Sequence, residues 1–114
     1  MSILSELVDQ QVAAYNQGDI EKFVSTYASN ATVTRHDGSV VASGREEIQA
    51  HYGKIFRQCP NLNAEIRNRI EIGAFVIDEE YVIGFNLDGL TSPLQAAVAY
   101  RIVNGLIADA RLYL

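Results

Sequence analysis

The chain has 114 residues, 48% of them hydrophobic and 20% charged, a balance that is typical of globular proteins and excludes disordered, collagen-like and coiled-coil classes. Its 14 aspartates and glutamates outnumber its 9 lysines and arginines, and the resulting net charge of -5 disfavours nucleic-acid or anionic-membrane partners. We therefore expect residues 1–114 to form a single domain without such partners.

The one cysteine, Cys59, cannot form an intramolecular disulfide, which fits a reducing compartment. Residues 1–12 contain Glu6 and Asp9 but no basic residue before their apolar positions, unlike a signal peptide. No apolar run approaches the ~18 residues of a membrane helix. The sequence therefore predicts a cytoplasmic protein.

Two helices are predicted at the start of the chain. Apolar residues recur every three or four positions from Leu4 to Tyr15, between Ser2 as an N-cap and Gly18 as a C-terminal stop. Asp19 can cap a shorter second helix that ends at Ser29-Asn30.

A third helix is predicted to begin after Ser43, which forms a capping-box pattern with Glu46, and to end before Pro60. Two short strands, over 31–35 and 40–42, are predicted before it. The first half of the chain is therefore mainly helical.

The second half of the chain is predicted to form strands. Residues 62–72 alternate between apolar and polar, and a turn at Gly73-Ala74 would lead into a strand over 75–86. Pairs whose numbers sum to 147 would then lie opposite each other, so that Arg69 faces Asp78 and Arg67 faces Glu80. Asn104-Gly105 predicts a final hairpin between residues 95–103 and 106–114. Helices followed by antiparallel strands predict an α+β fold with the helices on one face of the sheet.

Several short motifs carry a family resemblance: Gly18-Asp19-Ile20-Glu21, Tyr27-Ala28, Ala31-Thr32-Val33 and Gly44-Arg45-Glu46. With them, the chain resembles the nuclear transport factor 2-like superfamily, in its SnoaL-like and ketosteroid isomerase-like branch. The resemblance implies a cone-shaped curved antiparallel sheet with three N-terminal helices packed on its concave face. It also implies an apolar cavity between helices and sheet, and a homodimer.

Ketosteroid isomerases use a carboxylate base and two oxyanion donors, a tyrosine and a protonated aspartic acid. When these roles are carried over by the matching motifs, Gln11 occupies the position of the tyrosine, Arg35 that of the base and Ala99 that of the acid donor. The supporting tyrosine of the third helix is kept, as Tyr52. We therefore do not expect steroid isomerisation by that mechanism.

Glu79 is the candidate general base that remains. It pairs with Asn68 on the strand face that also holds Ile66, Ile70 and Tyr81, and an apolar setting raises the pKa of a carboxyl group. The alternative is that a bulge exposes Glu79 at the sheet edge or in a dimer contact.

Arg101 lies among small residues near the end of the chain and either clamps an anionic ligand group or pairs with Glu79. Gln11 lies on an apolar helix stripe, so its amide must bind a neighbouring group, such as Tyr52, or a ligand. Tyr15 and Tyr52 have the same alternatives, a satisfied core hydroxyl or a ligand contact.

His36 is a second candidate acid or base, if a bulge turns it towards the cavity with Arg35 beside it and Asp37 orienting it. The alternative is a solvated turn. His51 is interpreted as a surface or boundary residue, and the histidine spacing predicts no metal site.

The sequence predicts a protein that binds a small, partly apolar molecule. Two readings of its function stay open: a cofactor-free isomerase, dehydratase or cyclase, and a non-catalytic dimeric interaction module with a side-chain-filled cavity. The first needs a base in the cavity, with Gln11, Tyr15, Arg35, Tyr52, Asn68 and Arg101 as ligand-binding residues. The second needs these polar groups to satisfy one another.

Overall fold

The computed structural model describes residues 2–114 and contains three helices and eight strands in that range. The helices are α1 (Ile3–Gln17), α2 (Ile20–Ser25) and α3 (Gly44–Gln58). The strands are β1 (Tyr27–Arg35), β2 (Val40–Ser43), β3 (Asn63–Ile72), β4 (Phe75–Ile83), β5 (Asn86–Leu87), β6 (Leu90–Thr91), β7 (Leu94–Val103) and β8 (Leu106–Tyr113). None of these helices is long and apolar enough to cross a membrane.

Six strands form one curved sheet in the order β2-β1-β8-β7-β4-β3, and the helices pack on one of its faces. The predicted α+β fold is therefore confirmed. Neighbouring strands run antiparallel except β1 and β8, which run parallel. Strands β5 and β6 form a separate small hairpin.

The helix ends follow the predicted capping residues in α1 and α2. Ser2 Oγ accepts a hydrogen bond from the Ser5 amide, and Gly18 ends α1 with a φ of 66°, where a side chain would be strained. Asp19 caps α2, but this helix is shorter than predicted because β1 already begins at Tyr27.

The capping of α3 differs from the prediction. The Ser43 side chain makes no cap hydrogen bond, and it is Glu47, not Glu46, whose Oε1 accepts from the Ser43 amide at 2.9 Å. The predicted capping box is therefore wrong, although α3 does begin directly after Ser43.

The register of β3 and β4 is confirmed between Asn68–Glu79 and Ile72–Phe75, where paired numbers sum to 147. A β-bulge then places one extra residue, Arg67, in β3, so that Ile66 lies opposite Glu80. The predicted pairing of Arg67 with Glu80 is therefore wrong.

The bulge leaves the Arg67 guanidinium on the side of β3 away from the helices. Arg67 Nε lies 2.9 Å from Glu65 Oε1, and the guanidinium carbon lies 3.9 Å from the centroid of the Tyr81 ring. Glu80 is thus left without a guanidinium partner.

The sheet buries the face opposite to the one predicted. In β4 the side chains of Val76, Asp78 and Val82 are buried under the helices, on what we call the inner face. The outer face carries exposed apolar side chains instead: Ile70, Ile72, Phe75 and Ile83. The prediction was wrong because β4 is apolar on both faces and because the bulge at Arg67 moves Ile70 and Ile72 of β3 to the outer face, so that alternation alone does not identify the buried side.

Helix α1 is held against the edge of the sheet by Asn16. Its Nδ2 donates to the Ala64 carbonyl at 3.0 Å, and its Oδ1 accepts from the Ala64 amide at 2.7 Å. The side-chain amide therefore pairs with the edge strand as another strand would. This contact fixes the position of Gln11 and Tyr15 on α1 relative to the sheet.

Aromatic side chains fill the space between the helices and β1. The Phe23 ring lies 4.6 Å from Tyr52, 5.3 Å from Tyr27 and 5.5 Å from Phe56 between centroids. The rings pack edge to face or tilted against one another, and these contacts fix the positions of the Tyr27 and Tyr52 side chains.

Candidate functional site

A cavity of about 260 Å³ lies between the helices and the inner face of the sheet. Its walls are mainly apolar and include Val12, Ile55, Val82, Phe85, Leu94 and Val98. A cavity of this kind, with a few polar groups converging on it, is where small-molecule sites are usually found.

Glu80 and Asp88 are the carboxyl side chains that line the cavity within residues 2–114, and Glu80 is the less exposed of the two. It lies on the inner face of β4, and Tyr100 on β7 donates a hydrogen bond to its Oε2 at 3.3 Å. Burial raises the pKa of Glu80 to about 7, with a further rise from the nearby Asp78 charge that the Tyr100 hydrogen bond and Arg69 oppose. Glu80 is therefore close to half ionised at neutral pH.

Tyr100 links Glu80 to a short chain of polar side chains. Its Oη lies 3.5 Å from Gln11 Oε1, and Gln11 Nε2 donates to Tyr27 Oη at 3.0 Å. The Tyr100 hydroxyl can donate one hydrogen bond, either to ionised Glu80 or, when Glu80 is protonated, to Gln11 Oε1. The chain therefore accommodates both protonation states of Glu80.

Four tyrosines face the cavity: Tyr15, Tyr27, Tyr52 and Tyr100. Burial raises the pKa of each of these phenols above its ordinary value. They stay protonated at neutral pH, so each remains a hydrogen-bond donor.

The mouth of the cavity carries charged and titratable groups. Arg35 lies at the end of β1, His51 is on α3 and Asp88 is in the β5–β6 turn. Burial, and next the Arg35 guanidinium, lower the pKa of His51, so its imidazole is mostly neutral at pH 7. Asp88 Oδ1 lies 4.0 Å from Lys54 Nζ.

Four of the predicted ligand-binding residues line the cavity: Gln11, Tyr15, Arg35 and Tyr52. Gln11 satisfies its amide through Tyr27 and Tyr100 rather than through Tyr52. His51, interpreted as a surface or boundary residue, also reaches the cavity wall.

The predicted placement of Glu79, Asn68 and Arg101 in the cavity is wrong. Asn68 Nδ2 donates to Glu79 Oε1 at 2.7 Å on the outer face of the sheet. Arg101 Nε lies 2.7 Å from Asp109 Oδ2 on the same face, so Arg101 pairs with neither Glu79 nor a cavity group. The reason is again the choice of face, since inner and outer side chains alternate along each strand.

His36 does not reach the cavity as a candidate acid or base: it lies in an exposed turn after β1, which is the solvated turn given as the alternative. The register shift between β1 and β2 adds a residue to β2, Val41, and leaves β1 uninterrupted from Thr32 to Arg35. The His36 carbonyl accepts a hydrogen bond from Arg111 Nη2 at 2.8 Å. Within residues 2–114 no group of three or more His, Cys, Asp or Glu side chains is arranged to hold a metal ion.

Five polar residues that line the cavity were not predicted as site residues: Tyr27, His51, Glu80, Asp88 and Tyr100. The resemblance to ketosteroid isomerases led to Ala99, whose neighbours in the strand, Val98 and Tyr100, are the ones that face the cavity. No sequence signal singled out Glu80, because the predicted register supplied Arg69 and Arg67 as counter-charges for Asp78 and Glu80.

Several solved structures share this fold over nearly the whole chain. A cystatin-fold protein from Novosphingobium aromaticivorans is 28% identical over 98% of this chain and 97% of its own, with a TM-score of 0.88. A ketosteroid isomerase-like protein from Catenulispora acidiphila, solved with trimethylamine, is 20% identical over 96% and 85%, with a TM-score of 0.76. A candidate polyketide cyclase from Sinorhizobium meliloti is 18% identical over 98% and 99%, with a TM-score of 0.79.

No protein with a curated description matches the chain. The family model of the SnoaL-like domain matches residues 8–110, which include the cavity-facing residues of α1 and α3 and the strands that carry Glu80 and Tyr100. This match confirms the SnoaL-like resemblance predicted from the sequence, and the solved structures confirm the nuclear transport factor 2-like and ketosteroid isomerase-like fold. The chain belongs to the SnoaL-like family.

Proposed function

We propose that the protein binds a small, partly apolar carbonyl compound and moves a proton at the carbon next to the carbonyl, with Glu80 as the acid–base group. Isomerisation, dehydration and ring closure all include such a step, which needs a base and hydrogen-bond donors. The observation that carries the proposal is the Glu80–Tyr100 contact on the wall of an otherwise apolar cavity.

Glu80 has the properties of a base for this step. Tyr100 binds only one of its carboxylate oxygens, Oε2, and this leaves the other for a substrate proton. A pKa of about 7 lies where general acid–base catalysis is most efficient at neutral pH. The apolar walls exclude water and so strengthen the electrostatic interactions of the carboxylate.

In the proposed step, the Glu80 carboxylate takes a proton from the carbon next to the carbonyl. The electron pair of that C–H bond forms a C=C bond, and the carbonyl oxygen becomes negative. A phenol of Tyr15 or Tyr52 donates a hydrogen bond to this oxygen. In an isomerisation, the negative oxygen re-forms the carbonyl, a C=C bond already present in the substrate shifts by one position, and its far carbon takes the proton from Glu80. In a dehydration, the carbonyl re-forms while the new C=C electron pair expels a hydroxyl group from the next carbon, and this group takes the Glu80 proton and leaves as water.

The volume of the cavity limits the substrate. At about 260 Å³ the cavity lies just below the ~300–1,000 Å³ that is usual for sites of drug-sized ligands, so it favours a small substrate. The open volume also favours a ligand site over the alternative of a side-chain-filled interaction module.

The proposal predicts that the protein catalyses deuterium exchange in small ketones. We expect 4-phenylbutan-2-one and acetophenone in D₂O to lose the proton signals next to their carbonyl groups faster with the protein than in buffer alone, measured by NMR. Exchange at the buffer rate for every ketone of this size would contradict the proposed chemistry.

We also propose that the protein forms a homodimer through the outer face of the sheet. Ile70 and Ile72 on β3 are 53% and 61% exposed, and Phe75 on β4 is 41% exposed beside them. An apolar strand face of this kind supports a contact with a second copy of the same face, which a two-fold axis would bring together.

Replacing Ile70 by Glu should convert the dimer to a monomer, because the interface would bury two new carboxylates, one from each copy. Sedimentation at micromolar concentration measures the change. Ile3→Glu is the matched control, since Ile3 is 77% exposed on α1, which packs on the inner face of the sheet, and should leave the dimer intact. A monomeric wild-type protein would refute the dimer, and a dimeric Ile70→Glu variant would refute this interface.

A further inference from the structure

Arg35 is the single lysine or arginine of residues 2–114 whose side chain lines the cavity. It forms no ion pair in this part of the chain, whereas Arg69, Arg101 and Lys54 each lie against a carboxylate. A guanidinium at the entrance of an apolar cavity, without a protein partner, is free to bind an anionic group of a ligand.

The position of Arg35 follows from the alternation of β1. Ala31 and Val33 are buried on the inner face, and Arg35, two residues further, lies on the same side where the strand ends at the solvent. It pairs with Leu112 of β8, which also lines the cavity. Arg35 is exposed while Tyr100, which binds Glu80, is only 3% exposed, so the two polar sites lie at the outer and inner ends of the cavity.

None of the acidic side chains near Arg35 forms an ion pair with it within residues 2–114, in a protein of net charge -5. Asp88 is the acidic side chain at the mouth, and Lys54 balances it at 4.0 Å. His51 is mostly neutral at pH 7. Asp37, in the turn after β1, accepts hydrogen bonds from the Ser39 amide and hydroxyl at 2.9 and 2.7 Å.

We infer that the substrate is a small oxo acid, in which one carboxylate binds Arg35 at the mouth and an apolar stem carries the carbonyl group inward to Glu80. The placement of the substrate carbonyl next to Glu80 rests on the proposed function, whereas the placement of the substrate carboxylate rests on Arg35. Two opposed polar groups separated by apolar walls would fix the direction in which such a molecule enters.

The test uses 4-oxo-4-phenylbutanoate and its uncharged amide as a matched pair of probes. We expect the wild-type protein to bind the acid about tenfold more tightly than the amide, about 1.4 kcal/mol, at low salt by calorimetry. Arg35→Gln should remove this preference and leave the affinity for the amide unchanged. High salt should weaken acid binding, because Arg35 is exposed and its charge is screened.

Lys22→Gln is the control variant. It removes one positive charge, as Arg35→Gln does, but Lys22 lies on α2 and does not line the cavity. It should keep the preference for the acid. Equal loss in both variants would mean that only the overall charge matters, which would overturn the inference.

The remaining outcomes separate this inference from the proposed function. Binding of the acid that depends on Arg35, without deuterium exchange, would support the anion site and contradict the acid–base role of Glu80. Exchange in neutral ketones with no preference for the acid would support Glu80 and overturn the role of Arg35. No binding of the acid at millimolar concentration would also overturn the inference.

Discussion

Replacing Glu80 by Gln should lower the rate of deuterium exchange in ketones by about 10²- to 10⁴-fold, the usual contribution of a general base. Glutamine keeps the size of the side chain, and its carbonyl oxygen can still accept the hydrogen bond from Tyr100. It cannot take a proton from carbon. NMR exchange rates for the wild-type and variant proteins measure the difference.

The matched control is Glu79→Gln, the same substitution at the next residue. Glu79 lies on the outer face, bound to Asn68, so its replacement should leave the exchange rate unchanged. If Glu80→Gln exchanges at the wild-type rate, Glu80 is not the base. If both variants lose activity together, the loss comes from the strand and not from the cavity.

The pH dependence of the same reaction follows from the raised pKa of Glu80. The carboxylate is the active form, and its fraction rises as pH passes through about 7 instead of the ordinary 4.5. The exchange rate should therefore increase about tenfold per pH unit below 7 and level off above it. A rate already at its plateau at pH 5 would show that the base has an ordinary carboxyl pKa.

Much of the fold could be predicted because local chemistry determines it. Ser2, Gly18 and Asp19 mark helix ends through hydrogen bonds to nearby backbone groups, and Asn104-Gly105 forms the predicted hairpin between β7 and β8. The bulge at Arg67 has no comparable signal. It depends on how β3 fits against β4 along the whole sheet, which no single residue type encodes.

Apart from Arg35 at the end of β1, the candidate site was predicted only where helices supply it. The stripe on α1 led to Gln11 and Tyr15, because a helical period of 3.6 defines one buried face. On β4, Ile77 and Tyr81 compete with Val76 and Val82 for the core, so the apolar pattern fits either face. Because the wrong face of β4 was chosen, Glu79 was predicted as the general base in the cavity, where Glu80 lies.

The inner face of β4 also holds Asp78, and removing its partner Arg69 should destabilise the fold strongly. Asp78 is fully buried, and Arg69 binds both of its oxygens, at 2.6 and 3.0 Å, while contacting Asp9 of α1 at 2.7 Å. Arg69→Met would leave a buried carboxylate without a counter-charge. We expect a loss of about 3–5 kcal/mol in the free energy of unfolding, measured by urea denaturation.

Arg67→Met provides the control, because Arg67 is two residues away in the same strand but its pair with Glu65 is exposed. Its loss should cost about 1 kcal/mol or less. Adding Asp78→Val to Arg69→Met should recover much of the stability, since the unpaired charge is then gone and an apolar side chain fills its site. If Arg69→Met costs no more than Arg67→Met, the buried pair does not hold α1 to the sheet. If the double variant is no more stable than Arg69→Met, the loss comes from packing of the arginine side chain and not from the charge left on Asp78.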